Sequence, residues 1–184
     1  MNISLDLDKP TQNLDELISF APVARVDARV LILGSMPSTL SLAQQQYYAH
    51  PRNAFWKIIA HLFGFNPDIS YADKLLALQQ HKLALWDVIQ RCEREGSLDS
   101  NISNASIISN DFAVFFAEHP HIQHIFFNGS CAYQEYHKRV KPTLAQQWQT
   151  VACKRLPSTS PAMASLTFEQ KLSAWSAIKH VVEN

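Results

Sequence analysis

The stretch Arg29–Trp56, RVLILGSMPSTLSLAQQQYYAHPRNAFW, constrains the fold of this chain more than any other. Val30 to Leu33 are four unbroken apolar residues, too short a run for a helix of its own. Such a run reads as a strand buried on both faces, which is the habit of a parallel sheet. Gly34 ends it, and a loop carrying Ser35, Pro37 and Ser38 follows. Further on, Tyr47, Tyr48, His50, Arg52 and Asn53 put rings and amides into a polar segment. Phe55, Ile58, Ile59, Leu62 and Phe63 then recur at helical spacing, so a packed helix begins near Asn53. A strand, a long polar loop and a helix form the unit from which open α/β sheets build binding sites.

The remaining chain repeats that unit. A short helix is expected around Leu14–Phe20, another over Ala72–Gln80, and a second strand over Leu83–Ile89, ending at Asp87. Arg91–Asn104 is rich in turn-forming residues and is expected to lack regular structure. Asp111–His119 places Phe112, Phe115 and Phe116 on one helical face. A third strand, Ile125–Phe127, stops at Asn128-Gly129; a helix over Cys131–Val140 and a fourth strand over Thr150–Arg155 follow. The last helix starts with a Thr167/Gln170 capping box and buries Leu172, Trp175, Ile178 and Val182. Strands alternating with helices imply one α/β domain over residues 1–184: three layers, with a four-stranded parallel sheet between helices. Ligands of such sheets bind beyond the carboxyl ends of the strands. Those ends are Gly34–Ser38, Asp87, Asn128–Ser130 and Leu156–Pro161.

Charge and cysteine content narrow the chemistry. Sixteen basic residues balance sixteen acidic ones, so no strong overall field attracts a polyanion, although a local basic patch remains open. Cys92, Cys131 and Cys153 have no CxxC spacing and suggest neither a zinc nor an iron–sulfur framework. Sparse, odd cysteines suit a reducing compartment. With no apolar leader and no apolar run long enough to span a bilayer, a cytoplasmic protein is expected, and a monomer is the expected state.

Each candidate has a plain structural reading beside the chemical one. GSMPS (34–38) could hold a phosphate or a water, or simply turn the chain; it is no P-loop, because no Gly-Lys-Ser/Thr follows. Tyr47 and Tyr48 could stack on a planar ligand, whereas Phe55 belongs to the core stripe. Asn53 could cap the helix or hold a water or base. Asp87 could act as a base or pin a loop. His119, His121 and His124 invite a metal reading, but they fall at the amino end of a strand, and a solvated loop is expected instead. LPSTSPAMA (156–164) sets three hydroxyls between two prolines, a rigid arrangement suited to phosphates. A serine hydrolase built on Ser35 or Ser158 with a histidine and Asp87 would lack the GxSxG elbow.

Taken together, GSMPS, YYAHPRNAFW, ALWDVI, NGSCAY and LPSTSPAMA resemble the motif segments of the uracil-DNA glycosylase superfamily, over about residues 29–180. The likeness to its mismatch-specific branch has two departures. Met36 stands where those enzymes carry a catalytic Asn, and Ser158-Thr159-Ser160 lacks the usual Asn or His. The combination looks like the hypoxanthine-DNA (deoxyinosine) glycosylase branch. That resemblance implies a DNA glycosylase that flips a deaminated base, hypoxanthine first and uracil or xanthine next, and needs no metal or other cofactor. It also implies catalytic roles for Asn53 and Asn128. Gly34, Ser35, Met36, Tyr48 and Asp87 would surround the base, with Tyr48 stacking on it. Arg52, Ser158, Thr159 and Ser160 would hold DNA, and Met163 would be a wedge or merely pack beneath its loop. Lys138, Arg139, Lys141 and Arg155 would complete a basic surface. A non-catalytic binder of damaged DNA on the same fold is the alternative that Met36 raises.

Overall fold

The computed structural model describes residues 16–183. In chain order the strands are β1 (Glu16–Ile18), β2 (Val30–Gly34), β3 (Leu83–Asp87), β4 (Ile89–Glu93), β5 (Ile108–Ser109), β6 (His124–Asn128) and β7 (Ala152–Leu156). The helices are α1 (Thr39–Gln44), α2 (Phe55–Phe63), α3 (Tyr71–Gln80), α4 (Phe112–Glu118), α5 (Ser130–Glu135), α6 (Gln146–Gln149) and α7 (Phe168–Glu183). Four strands form a parallel sheet in the order β3-β2-β6-β7. The chain leaves β2 toward one edge through β3 and returns to its other side through β6. The sheet's switch point therefore lies between Gly34 and Asn128, where ligands of such sheets bind.

Alternation along the strands sorts side chains into two cores. Leu31, Leu33, Ala84, Trp86 and Phe127 pack against Phe112, Phe115 and Phe116 of α4 and against Tyr136. Val30, Ile32, Leu83, Leu85 and Phe126 face Phe55, Ile58 and Ile59 of α2 and Trp175 and Ile178 of α7. These two cores make the expected three layers. β3 and β7 are the edges. An antiparallel bridge from Val23 to Leu85 covers the first, and exposed Lys154 and Arg155 lie along the second.

Four expectations change. Within the described residues, the Leu14–Phe20 segment is strand β1, not helix; Leu14 and Asp15 lie outside them. Arg91–Asn104 is partly regular: β4 pairs antiparallel with β1 and β5 in a second, small sheet, and two 3-10 turns follow. Only Ile89 and Cys92 of IQRCE are buried, so the strand carries no run or alternation to betray it. The helix expected over Cys131–Val140 closes in a π-helical turn, Tyr136–Val140. His119 is not solvated: it is buried, its ring stacks on Phe115 and its Nδ1 bonds the Phe115 carbonyl.

The capping box is formed. Thr167 N–H donates to Gln170 Oε1 and Gln170 N–H donates to Thr167 Oγ1. Because α7 carries Trp175 into the core, Thr167→Ala is expected to cost about 0.5–2 kcal/mol. Urea unfolding of the two proteins measures it.

Candidate active site

The carboxyl ends of the sheet strands deliver their side chains to one cleft of about 580 Å³. All the residues expected at the site line it, except Arg52, which is exposed outside. The cleft is held together through Thr159, which is fully buried. Asn128 Nδ2 donates to Thr159 Oγ1 and Thr159 N–H donates to Asn128 Oδ1, both at 2.8 Å. The Thr159 carbonyl accepts the Ala54 N–H at 3.0 Å, at the mouth of α2. Thr159 therefore joins three chain segments and offers no side chain to a phosphate, which corrects its expected role. Ser158 and Ser160 stay half-buried at the rim, their hydroxyls accepting the N–H of Ser160 and Ala162. Behind this loop α7 anchors its backbone: Trp175 Nε1 donates to the Pro157 carbonyl and Lys171 Nζ to that of Met163. Gly129, at φ +99°, lets the strand end turn beside Ser158, where a Cβ would come within 3.1 Å of the Ser158 Cβ.

Two polar atoms on the floor have no partner among the described residues: Asp87 Oδ2 and the Tyr48 hydroxyl. Burial pushes the Asp87 carboxyl up to about 8, helped by the charge of Asp99 and opposed by that of Arg94. Burial, and then Asp87, also pushes the Tyr48 phenol well above its ordinary value. Both shifts favour the neutral form of the group. Gly34 makes their approach possible, since a Cβ there would lie 2.4 Å from Asp87 Oδ1 and 3.0 Å from the Tyr48 hydroxyl. Tyr48 itself sits at φ +54°, costly for a bulky residue, and its ring is stacked on Phe55 with centroids 4.1 Å apart. Tyr47, by contrast, is almost wholly buried, with its hydroxyl donating to the Ala21 carbonyl; it is core and not a ligand platform.

Asn53 takes neither expected role alone. Ala54 is the N-cap of α2, without a side-chain bond, and Asn53 Oδ1 accepts the Phe55 N–H at 3.0 Å. Its amide group makes no hydrogen bond to the described protein, and the second lone pair of Oδ1 remains available to the cleft. The Met36 side chain packs in a small cluster with Ile89 and Cys92 and contributes no polar group.

The reading of the sequence missed a wall. The loop after β4 lines the cleft with Ser97, Leu98, Asp99 and Ser100. Asp99 Oδ1 accepts the Ser35 hydroxyl at 2.7 Å. Arg94 is buried and donates to the carbonyls of Pro37, at 2.6 Å, and Gly96, at 2.9 Å. It clamps the turn 34–38 to the loop. With its hydroxyl given to Asp99 and no histidine among the described lining residues, Ser35 has no base to make it a nucleophile. Of the expected basic residues, Arg139 is paired with Glu135 and Arg155 donates to Ser130, while Lys138 is exposed and Lys141 half-buried. Three or more clustered metal-ligating side chains occur nowhere among the described residues, and no helix there is long and apolar enough to cross a membrane.

Comparison with known proteins places this geometry. The family model of the uracil DNA glycosylase superfamily matches residues 21–179. A hypoxanthine DNA glycosylase of Methanosarcina acetivorans is 37% identical over 160 residues, 86% of this chain and 95% of that protein. One from Methanosarcina barkeri is 37% identical over 111 residues, covering 60% of this chain and 69% of its own. A solution NMR structure of a candidate uracil DNA glycosylase from M. acetivorans superposes with a TM-score of 0.76 at 34% identity, over 92% of this chain and all of that one.

Two outcomes follow from the polar floor and its tie. Thr159→Val keeps the shape but strands the Asn128 amide, and is expected to cost about 1–3 kcal/mol in denaturant unfolding. Asp87, raised in the folded protein, keeps a proton that the unfolded chain loses near pH 4. Its contribution is therefore fully present below pH 4, falls as pH rises, and is gone above about 8. Asp87→Asn should flatten the decline of Tm across that window.

Proposed function

The chain belongs to the uracil DNA glycosylase superfamily, and on that premise we propose that it is a monofunctional DNA glycosylase that releases a deaminated base, hypoxanthine foremost. The observation that carries the reading is the pair of neutral, unpartnered polar groups, Asp87 and Tyr48, on the floor of a cleft at the sheet's switch point. Buried groups without partners are costly to maintain. A flat ligand rich in ring N–H and carbonyl groups would satisfy both. The names of the two Methanosarcina relatives agree with hypoxanthine as that ligand.

The nucleotide leaves the duplex and its base enters the cleft, where the Tyr48 ring, backed by Phe55, stacks on it. The glycosidic bond breaks with its electron pair passing to the base, leaving an oxocarbenium-like sugar. Asp87, a neutral acid below about pH 8, donates to the departing base and lowers the cost of its charge. Asn53 orients the attacking water through the free lone pair of Oδ1 or through its amide N–H. The water adds to the sugar carbon and gives its proton to solvent or to the base. Asn128 acts mainly at one remove: its oxygen and one amide N–H are engaged with Thr159, and the second N–H is left for the base or the Tyr48 hydroxyl. Arg52, Lys138 and the rim serines approach the phosphates, and the protein works as a monomer at the cell's DNA. The reaction ends at an abasic site, since among the described residues no lysine lines the cleft to form a Schiff base.

Excision of base from labelled duplexes containing deoxyinosine, deoxyuridine or deoxyxanthosine, with alkali revealing abasic sites, tests this. Hypoxanthine release is expected, falling by about 10²–10³ in Asn53→Ala. Retained binding of the duplexes with no release from any of them would point to a binding module instead. For the wild type the single-turnover rate should decline above about pH 8 as Asp87 ionises, and Asp87→Asn should lose that limb.

A further inference from the structure

The rim loop from Leu156 to Leu166 carries no charged side chain. What it presents is a set of donors. Ser158 and Ser160 accept the backbone N–H of Ser160 and Ala162, and so keep their own O–H for a ligand. A neutral loop can orient a phosphate but adds no charge to draw one. The charge lies behind it. Lys171 of α7 is only 6% exposed, and its Nζ donates to the Met163 carbonyl at 2.8 Å and lies 3.5 Å from that of Ser160. Both acceptors are neutral, and no carboxylate pairs with Lys171 among the described residues. Burial pulls the ammonium's pKa below its ordinary range, and no neighbouring acid opposes the shift. Lys171 is also the fourth residue of α7, where the positive end of the helix disfavours a cation. A neutral donor is enough to tie a loop, as Trp175 Nε1 does at the Pro157 carbonyl. A buried, unpaired ammonium is a costlier strut, and an anion bound outside would offset that cost.

We propose that Lys171 supplies, through the loop, the positive charge that holds one DNA phosphate against the Ser158 and Ser160 hydroxyls. The proposal rests on the glycosylase reading of the cleft. The backbone provides the path. The Met163–Ala164 peptide is trans, so with its carbonyl turned in to Lys171 its N–H points the opposite way. Ala164 is exposed, and its N–H has no partner among the described residues. The ammonium polarises that peptide, and a buried charge is screened far less than an exposed one. Ammonium, carbonyl, N–H and phosphate then follow one another with alternating sign. The phosphate feels the cation without touching its side chain, which makes Lys171 a positioning residue.

The test moves a single neutral methylphosphonate through a deoxyinosine duplex and reads binding by fluorescence anisotropy. At one position near the lesion, wild-type binding should weaken by about threefold. In Lys171→Gln and Lys171→Met that substitution should make no further difference. The slope of log Kd against log salt should also fall by about one in both. Gln keeps a donor for the Met163 carbonyl and so guards the fold, while Lys171→Arg keeps the charge and should keep the penalty. Trp175→Phe removes the other tie of the same loop without changing its charge, and should retain both the penalty and the slope. A penalty and slope unchanged in Lys171→Gln, or lost equally in Trp175→Phe, would overturn the proposal and leave Lys171 a strut. So would a wild type that singles out no position, or that binds no duplex. Binding without base release would instead defeat the glycosylase reading, with the scan still deciding what Lys171 does.

Discussion

The reciprocal pair of hydrogen bonds between Asn128 and Thr159 is the constraint on which the cleft depends. It joins the end of a central strand to the loop that leaves the edge strand, and Thr159 passes the connection on to the start of α2. Without it, three segments that never meet in sequence would have no common reference point. Both partners are small, and the Thr159 hydroxyl and N–H are matched by the Asn128 oxygen and one of its amide N–H groups. An Asn at a strand end thereby becomes a joint first and a ligand contact second.

Around that joint the protein maintains an electrostatic imbalance. Asp87 and Tyr48 carry unpaired polar atoms at the floor, while Arg94, close enough to influence Asp87, gives its Nε–H and one of its two amino groups to backbone carbonyls and leaves the other unpartnered among the described residues. The guanidinium steadies the turn and moderates the carboxyl's rise without forming an ion pair with it. Had the two met directly, Asp87 would be a carboxylate at neutral pH and could only accept. Their separation leaves a neutral acid able both to donate and to accept. Local strain accompanies it: Tyr48 occupies an unfavourable backbone region, and its ring is stacked on Phe55.

The fold was legible in the sequence where burial was strong and periodic. The four parallel strands, the Phe-rich helix and the last capped helix each leave a pattern that hydrophobic spacing exposes. The carboxyl-end rule then gathered nearly all the candidate residues into one cleft. The small antiparallel sheet was not legible, because β4 buries only two of five side chains and β5 is two residues long. The wall it supports, with Arg94 and Asp99, went unseen for the same reason. A lone basic residue in a Glu- and Gly-containing segment reads as solvated until a buried carbonyl is seen to need it. Thr159 and Tyr47 were misjudged on similar grounds: polarity and loop membership suggested exposure, and packing decided otherwise.

Gly34 and Asp87 stand opposite each other on adjacent strands, with no room for a methyl group between them. This couples the two positions in any lineage carrying the fold. A side chain at position 34 needs the Asp87 carboxyl and the Tyr48 hydroxyl to give way, so it is accepted more readily once position 87 has become smaller. Such coupled pairs break additivity. Ancestral reconstructions and site-saturation libraries that vary one position at a time would charge the whole barrier to Gly34, when it is shared with Asp87 and Tyr48.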